Sequence, residues 1–198
     1  KWIATFLAQR GNAVSTTWHL DAYLAKPDDL VLAFDASPYG LGAVLFYQGR
    51  PIEFLADRLH PCDLLRYGFA IGYHRGQQVW ETLCILVALR AWRPYWMSGR
   101  MALAVDGDNI TALVTVTKLK APEGGVRRIA REIALDFADA CFPPVHCRHI
   151  AGISNVLPDM LSRKFDPNFR RGQTLPLQQL AGHSQTRLAS RTDAWYRT

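Results

Sequence analysis

Four acidic positions in this chain fall where an ionised side chain is hard to accommodate, and they set the chemistry to look for. Asp35 closes the apolar run Leu30–Phe34 and is followed by the turn Ser-Pro-Tyr-Gly. A carboxylate at the end of so apolar a stretch is costly to bury without a partner, which calls for a cation or a metal nearby. A turn-initiating Asp is the other reading of the same position. Glu81 sits among Val79, Trp80, Leu83 and Cys84. It is favoured there either by a helix N-terminal dipole or by a partner that its apolar neighbours cannot supply. Asp106 and Asp108 form the acidic corner Asp-Gly-Asp-Asn after a strand-like run. Acids there can cap the next helix, or present a carboxylate to a metal. Asp159 lies in the last helical stretch, Val-Leu-Pro-Asp-Met-Leu. Carboxylates are hard oxygen ligands, so a site built from Asp35, Glu81, one acid of the Asp106–Asp108 corner and Asp159 would suit a divalent cation of the Mg²⁺ kind.

The elements that must position these acids follow from pattern and punctuation. Leu30 to Phe46 reads as two strands of a hairpin, short and rich in Val, Leu and Phe, and bounded by turn residues. After a turn at Gln48-Gly49-Arg50, Pro51 to Leu55 reads as a third strand of an antiparallel meander, with Pro at its first position. Residues 59–76 read as irregular, with Pro61, Gly68, Gly72 and Gly76. Their basic residues (Arg58, His60, Arg66, His74 and Arg75 in and beside the loop) interleave with Tyr67, Phe69 and Tyr73. That mixture suits a nucleic-acid strand, and equally suits a surface loop over a small satellite core. Gln77 to Trp96 is apolar nearly all round and predicts a buried central helix. Met101 to Val105 predicts a fourth strand, Ile110 to Leu119 a short helix, and residues 125–140 an amphipathic helix carrying Arg127, Arg128 and Arg131. Val145 to Ile150 predicts a fifth strand. The closing helix carries Asn155 as candidate N-cap and Pro158 in its first turn.

The 198 residues suffice for one full core. A net charge of +6 permits a polyanionic partner without requiring one. No apolar run approaches the length of a membrane span, so no membrane association is expected. The chain begins at Lys1 without a signal pattern, which suggests a segment of a longer polypeptide. The four cysteines (Cys62, Cys84, Cys141, Cys147) form no CxxC pair, and reduced thiols in an intracellular protein, cytoplasmic or nuclear, are the simplest reading. The cluster Cys141, His146, Cys147, His149 has no usual zinc spacing, and a strand there would send His146 and Cys147 to opposite faces. Three segments are expected: residues 1–29 as the end of a preceding module or connector, residues 30–164 as the main domain, and residues 165–198 as a basic, partly disordered tail. That tail has five arginines against two acids.

The order strand, strand, strand, helix, strand, helices, strand, helix, with acids at those places, resembles the ribonuclease H fold. It resembles more closely the RNase H-like domain of retrotransposon reverse transcriptases, Gypsy-like or of the tyrosine-recombinase type. Four stretches carry the resemblance: D-A-S-P-Y-G-L-G-A-V-L, R-P-I-E-F-L-A-D-R-L, V-W-E-T-L-C-I-L-V-A-L-R-A-W-R-P-Y-W, and H-I-A-G-I-S-N-V-L-P-D-M-L-S-R. The last is similar to a Gly-x-x-Asn-x-x-x-Asp-x-Leu-Ser-Arg signature that closes the domain in those elements. The resemblance implies an α/β fold with a five-stranded mixed sheet flanked by helices.

It further implies an endonuclease that cleaves the RNA strand of RNA–DNA hybrids, fused to an upstream polymerase domain, with two Mg²⁺ ions (Mn²⁺ as a substitute). Asp35, Glu81, Asp108 and Asp159 would be the catalytic ligands, with Asp35 bridging both ions. Asp108 matches the family's acid-polar-x-x-Ala-Leu pattern through D-N-I-T-A-L, and Asp106 competes for the same role. Ser37, Gly40, Arg75, Asn109 and Asn155 are the candidate nucleic-acid contacts; discrimination of RNA needs contacts to the 2′-OH. The chain departs from the family in its longer segment before Glu81, in lacking a clear equivalent of the His before the last acid, and in Pro158. An inactive RNase H-like module that grips the hybrid or connects domains is the alternative. An integrase on the same fold fits less well, because its last acid is a Glu.

Overall fold

Seven consecutive buried residues, Leu30–Ala36, form the strand around which the molecule is layered (β1). A computed structural model describes residues 3–4, 7–8, 18–24, 29–98, 100–121, 124–140, 145–169 and 178–198. The short helix α1 spans Leu20–Leu24. β1 pairs antiparallel with β2 (Gly40–Tyr47), which pairs antiparallel with β3 (Arg50–Arg58), giving the meander expected from the turns. β1 also pairs parallel with β4 (Leu103–Gly107), and β4 with β5 (Val145–His149). A sixth strand, β6 (Ser184–Gln185), adds parallel to β3, so the order is β5-β4-β1-β2-β3-β6. The sheet is mixed and flanked by helices, with six strands instead of five. The sixth is two residues long and has no sequence pattern of its own, which is why it is invisible to periodicity.

β1 is interior to this sheet and covered on both faces, hence its lack of alternation. Leu30, Leu32, Phe34 and Ala36 join the main core, together with the central helix α3 (Gln77–Ala91). Every residue of α3 from Val79 to Leu89 is buried, as its all-round apolar sequence requires. The helical pattern up to Trp96 is cut in two, with α4 (Arg93–Trp96) starting anew. Pro94 cannot donate to the carbonyl of residue 90, so α3 cannot run through it. α5 (Ile110–Lys118) and the amphipathic α6 (Gly125–Asp139) complete this layer. The opposite face holds a smaller core of Val44, Leu161 and Leu180 under α7 (Val156–Ser162).

Residues 59–76 are more ordered than their composition suggests. They contain a helix, α2 (Pro61–Tyr67), and a 3₁₀ turn at His74–Gly76. The signals for α2 are in the sequence. Pro61 is its first residue, the Asp63 carboxylate accepts from the His60 backbone N–H at 2.9 Å, and Gly68 ends it in the left-handed region with φ 73°.

The basic tail also differs from expectation where it is described. After a 3₁₀ turn at Arg163–Phe165, residues 178–198 lie packed on the domain, with Leu180, Arg191 and Tyr196 buried. Of residues 1–29, the described part holds only α1 in regular structure beyond the short helical pieces at 3–4 and 7–8. Cys141 lies outside the described residues; His146 is exposed and Cys147 partly buried, as a strand with alternating faces requires.

Candidate active site

Asp35 is the last but one residue of β1 and is 6% exposed. Its Oδ2 accepts a 2.6 Å hydrogen bond from Ser162 Oγ at the end of α7. Glu81 enters from the first turns of α3 and is 4% exposed. Its Oε1 accepts from Gln77 Nε2 at 2.8 Å, whereas Oε2 is buried with no hydrogen-bond partner. Gln77 Nε2 also donates to the Ala36 carbonyl, so one amide ties the helix to the strand between the two acids. Asp108 follows β4 at the solvent side of the pair. One carboxylate oxygen from each of Asp35, Glu81 and Asp108 lies within 4.8 Å of the others.

Neither Asp35 nor Glu81 has an ion pair among the described residues. Burial therefore pushes the Asp35 carboxyl up to about 7, against the lowering effect of the Ser162 hydroxyl and helped by the charges of Asp159 and Asp108. Burial also pushes Glu81 up, to about 9, with the Asp35 charge adding to it. Such a cluster is unfavourable as it stands. A divalent cation answers each of its features: all donors are hard oxygens, two are desolvated, and Glu81 Oε2 lacks a partner. The residues fit Mg²⁺ or Mn²⁺ and offer nothing to a metal preferring nitrogen or sulfur.

Asp159 does not join the group. Its Oδ1 accepts from Arg163 Nε at 2.6 Å, one helical turn on. Asp106 is likewise engaged elsewhere, in a two-pronged pair with Arg148 (2.7 Å to each oxygen) directly across the β4–β5 ladder. The geometry thus separates the two acids of the Asp106-Gly-Asp108 corner: one is bound across the sheet, the other faces the cluster. Gly152 borders Asp108 so closely that a Cβ there would lie 3.0 Å from Asp108 Oδ2.

The remaining candidates divide between scaffold and surface. Ser37 is buried; its Oγ donates to the Ser162 carbonyl at 2.8 Å and accepts from the Gly40 N–H at 3.1 Å. Gly40 is buried too, and a Cβ on it would lie 2.8 Å from the Asp57 and Ser162 carbonyl oxygens. Asn109 caps α5, its Oδ1 accepting from the Ala112 N–H at 3.0 Å. Asn155 precedes α7 but makes no side-chain cap. Its amide turns inward, Nδ2 donating to the Phe34 carbonyl at 2.8 Å, because that carbonyl in β1 would otherwise be buried beside α7. Arg75 is exposed, with its guanidinium 5.9 Å from the Tyr73 ring. Ser162, Gln77 and Arg163 are the residues that sequence reasoning missed. The Leu-Ser-Arg motif contained two of them, but their partners could not be named without the fold.

The chain matches no family model and no curated protein. Among solved structures it is similar to LC11-RNase H1, isolated from compost by a metagenomic approach, with a TM-score of 0.55 and 16% identity over 70% of this chain and 95% of that one. It also aligns with RNase H1 from the halophilic archaeon Halobacterium salinarum NRC-1, with a TM-score of 0.49 and 18% identity over 67% of this chain and 92% of that one. Strand order, helix placement and the compost enzyme's likeness together give this chain the ribonuclease H-like fold.

Proposed function

We propose that this chain is a metal-dependent endonuclease that cleaves the RNA strand of RNA–DNA hybrids, as the RNase H part of a retroelement reverse transcriptase. The observation that carries the reading is the convergence of Asp35, Glu81 and Asp108 at one end of the sheet, two of them buried and uncompensated. A scaffold has no use for such a cluster, whereas phosphodiester hydrolysis does. Asp35, Glu81 and Asp108 would hold Mg²⁺, with Asp159 available to a second ion; bound there, the metal would polarise the phosphoryl oxygen and lower the pKa of water. The chain's own residues prepare this. Ser162 fixes the orientation of Asp35, and Gln77 fixes that of Glu81 against β1. Arg75 and Tyr73, in the turn that leads into α3, offer a phosphate contact and a stacking surface. Residues 30–164 would form the nuclease domain, residues 1–29 the connection from a polymerase domain, in an intracellular setting. Among the described residues no helix is long and apolar enough to cross a membrane.

The test is a labelled RNA–DNA hybrid incubated with the chain and Mg²⁺. Cleavage of the RNA strand, absent with EDTA and abolished in Asp35→Asn, is the expected result. Hybrid binding without cleavage would instead support a non-cutting module, the reading to which the Asp159–Arg163 pair lends weight.

A further inference from the structure

The stretch between α2 and α3 exposes side chains for which a fully paired duplex has no use. We infer that Ile71 and Tyr73, with Arg75, form a platform for an unpaired nucleotide, so that the chain favours hybrids continued by a single strand over fully paired ones. This rests on the reading of the chain as a nuclease of RNA–DNA hybrids.

Two anchors place the platform at the end of the sheet that bears the acids. On one side the Gly72 N–H donates to the Pro38 carbonyl at 2.9 Å, and Pro38 lies in the β1–β2 turn just after Asp35. Gly72 is in the left-handed region, with φ 79°, and a Cβ on it would lie 3.1 Å from Tyr39 Oη. On the other side the 3₁₀ turn His74–Gly76 runs directly into α3. The first residue of α3, Gln77, donates to Glu81 Oε1 and to the Ala36 carbonyl. Phe69 packs against the main core, its ring edge-on to Trp80 with centroids 5.9 Å apart, and Asp63 of α2 is held by Arg191 and Tyr196. The stretch is fixed before any partner arrives.

What it exposes is apolar and aromatic as well as basic. Ile71 is 55% and Tyr73 45% exposed, His74 and Arg75 are exposed too, and the Arg75 guanidinium lies 5.9 Å from the Tyr73 ring. A paired hybrid offers a protein its phosphates, sugars and base edges, because its base faces are already stacked. Basic and polar groups suffice for that surface. A flat ring and a branched alkyl group gain instead from the face of an unstacked base, and a cation next to the ring supplies the phosphate contact.

The experiment measures binding of the full chain by fluorescence anisotropy in EDTA, at one fixed salt concentration. The probes are a blunt RNA–DNA hybrid and the same hybrid extended by a short single strand at each of its four strand ends in turn. One of these extensions should tighten binding by wild type about five- to tenfold, the low end of what one stacked base contributes. The same extension made abasic keeps its phosphates and should bind as the blunt hybrid does. Tyr73→Ala should lose the preference and Ile71→Ser part of it, whereas Tyr73→Phe should keep it, because the ring stacks and the hydroxyl does not. Equal binding of wild type to blunt and extended hybrids, an equal gain from the abasic extension, or a retained preference in Tyr73→Ala overturns the inference. The nuclease reading is judged separately, by cleavage of the blunt hybrid in Mg²⁺. Failure of wild type to bind any of the hybrids overturns both. Circular dichroism melts verify that the variants fold, as expected for exposed residues.

Discussion

Asp35 and Glu81 are held in a protonation state that the empty cluster and a loaded one would set differently, and that difference is measurable. Both carboxyls have folded-state pKa values above their ordinary ones, chiefly from burial. Ionising them therefore destabilises the metal-free fold. Their cost is absent near pH 4 and grows as pH rises, toward pH 7 for Asp35 and pH 9 for Glu81. Asp35→Asn should then melt like wild type near pH 4 in EDTA, and be more stable at pH 8, by on the order of 2 kcal/mol. Mg²⁺ should reverse the ranking by stabilising wild type alone. Identical melts at pH 8 in EDTA would show that the cluster is not strained. Ser162→Ala removes the hydroxyl that orients Asp35. Loss of such an orienting contact typically costs about 10- to 100-fold in metal affinity or activity, and titration of Mg²⁺ against cleavage rate should show it. An unchanged Mg²⁺ dependence would assign Ser162 to packing only.

At the scale of elements, the hairpin and the last helix form one unit through a missing side chain. Gly42→Ala would push its methyl group into the Pro158 carbonyl and the Ser162 nitrogen, both backbone atoms that cannot swing aside. A stability loss of about 1–3 kcal/mol in urea unfolding is expected, together with weaker Mg²⁺ binding as α7 carries Ser162 away from Asp35. Full stability would mean that α7 relaxes freely. The glycine itself stands in the Asp-Ala-Ser-Pro-Tyr-Gly-Leu-Gly-Ala stretch that carries the resemblance, but the helix that it admits lies more than 110 residues further on. That is the general limit here. β1, β2, α3 and the acids on them could be read because apolar runs, turn residues and lone charges are local features. Asn155 takes the N-cap position expected of it, but its side chain tethers Phe34 instead of capping, and the Ser37 hydroxyl clamps Ser162. In both cases the deciding partner lies over 120 residues away in sequence. α2 is a different case: Pro61, Asp63 and Gly68 announced it locally, and the glycines and basic residues around it masked the signal.

At the scale of the whole molecule, the C-terminal segment turns a basic stretch into internal structure. Arg191 is buried with its guanidinium donating to Asp63 Oδ2 at 2.7 Å, to the Arg58 carbonyl at 3.1 Å, and to Asp57. Tyr196 adds a 2.6 Å hydrogen bond to Asp63 Oδ1. Arg197 pairs with Asp136 and Asp139, and Asp136 with Glu132 also receives Arg90 from α3. The positive charge that composition alone would assign to a polyanionic partner is thus partly spent on buried acids of the chain itself. Asp63 is fully buried, so Arg191→Ala leaves an uncompensated carboxylate there and should cost about 3–5 kcal/mol in chemical unfolding. Pairing Arg191→Leu with Asp63→Asn removes both charges and should recover part of that loss, because the single change is costly mainly through the orphaned acid. Arg90, which links this network to α3, sits at the opposite end of that helix from Glu81. The Mg²⁺-induced rise in melting temperature should therefore survive in Arg191→Ala. A loss below about 1 kcal/mol would mean that the segment rests on the domain without stabilising it; a lost Mg²⁺ response would instead show that the strap and the acid cluster are coupled through α3.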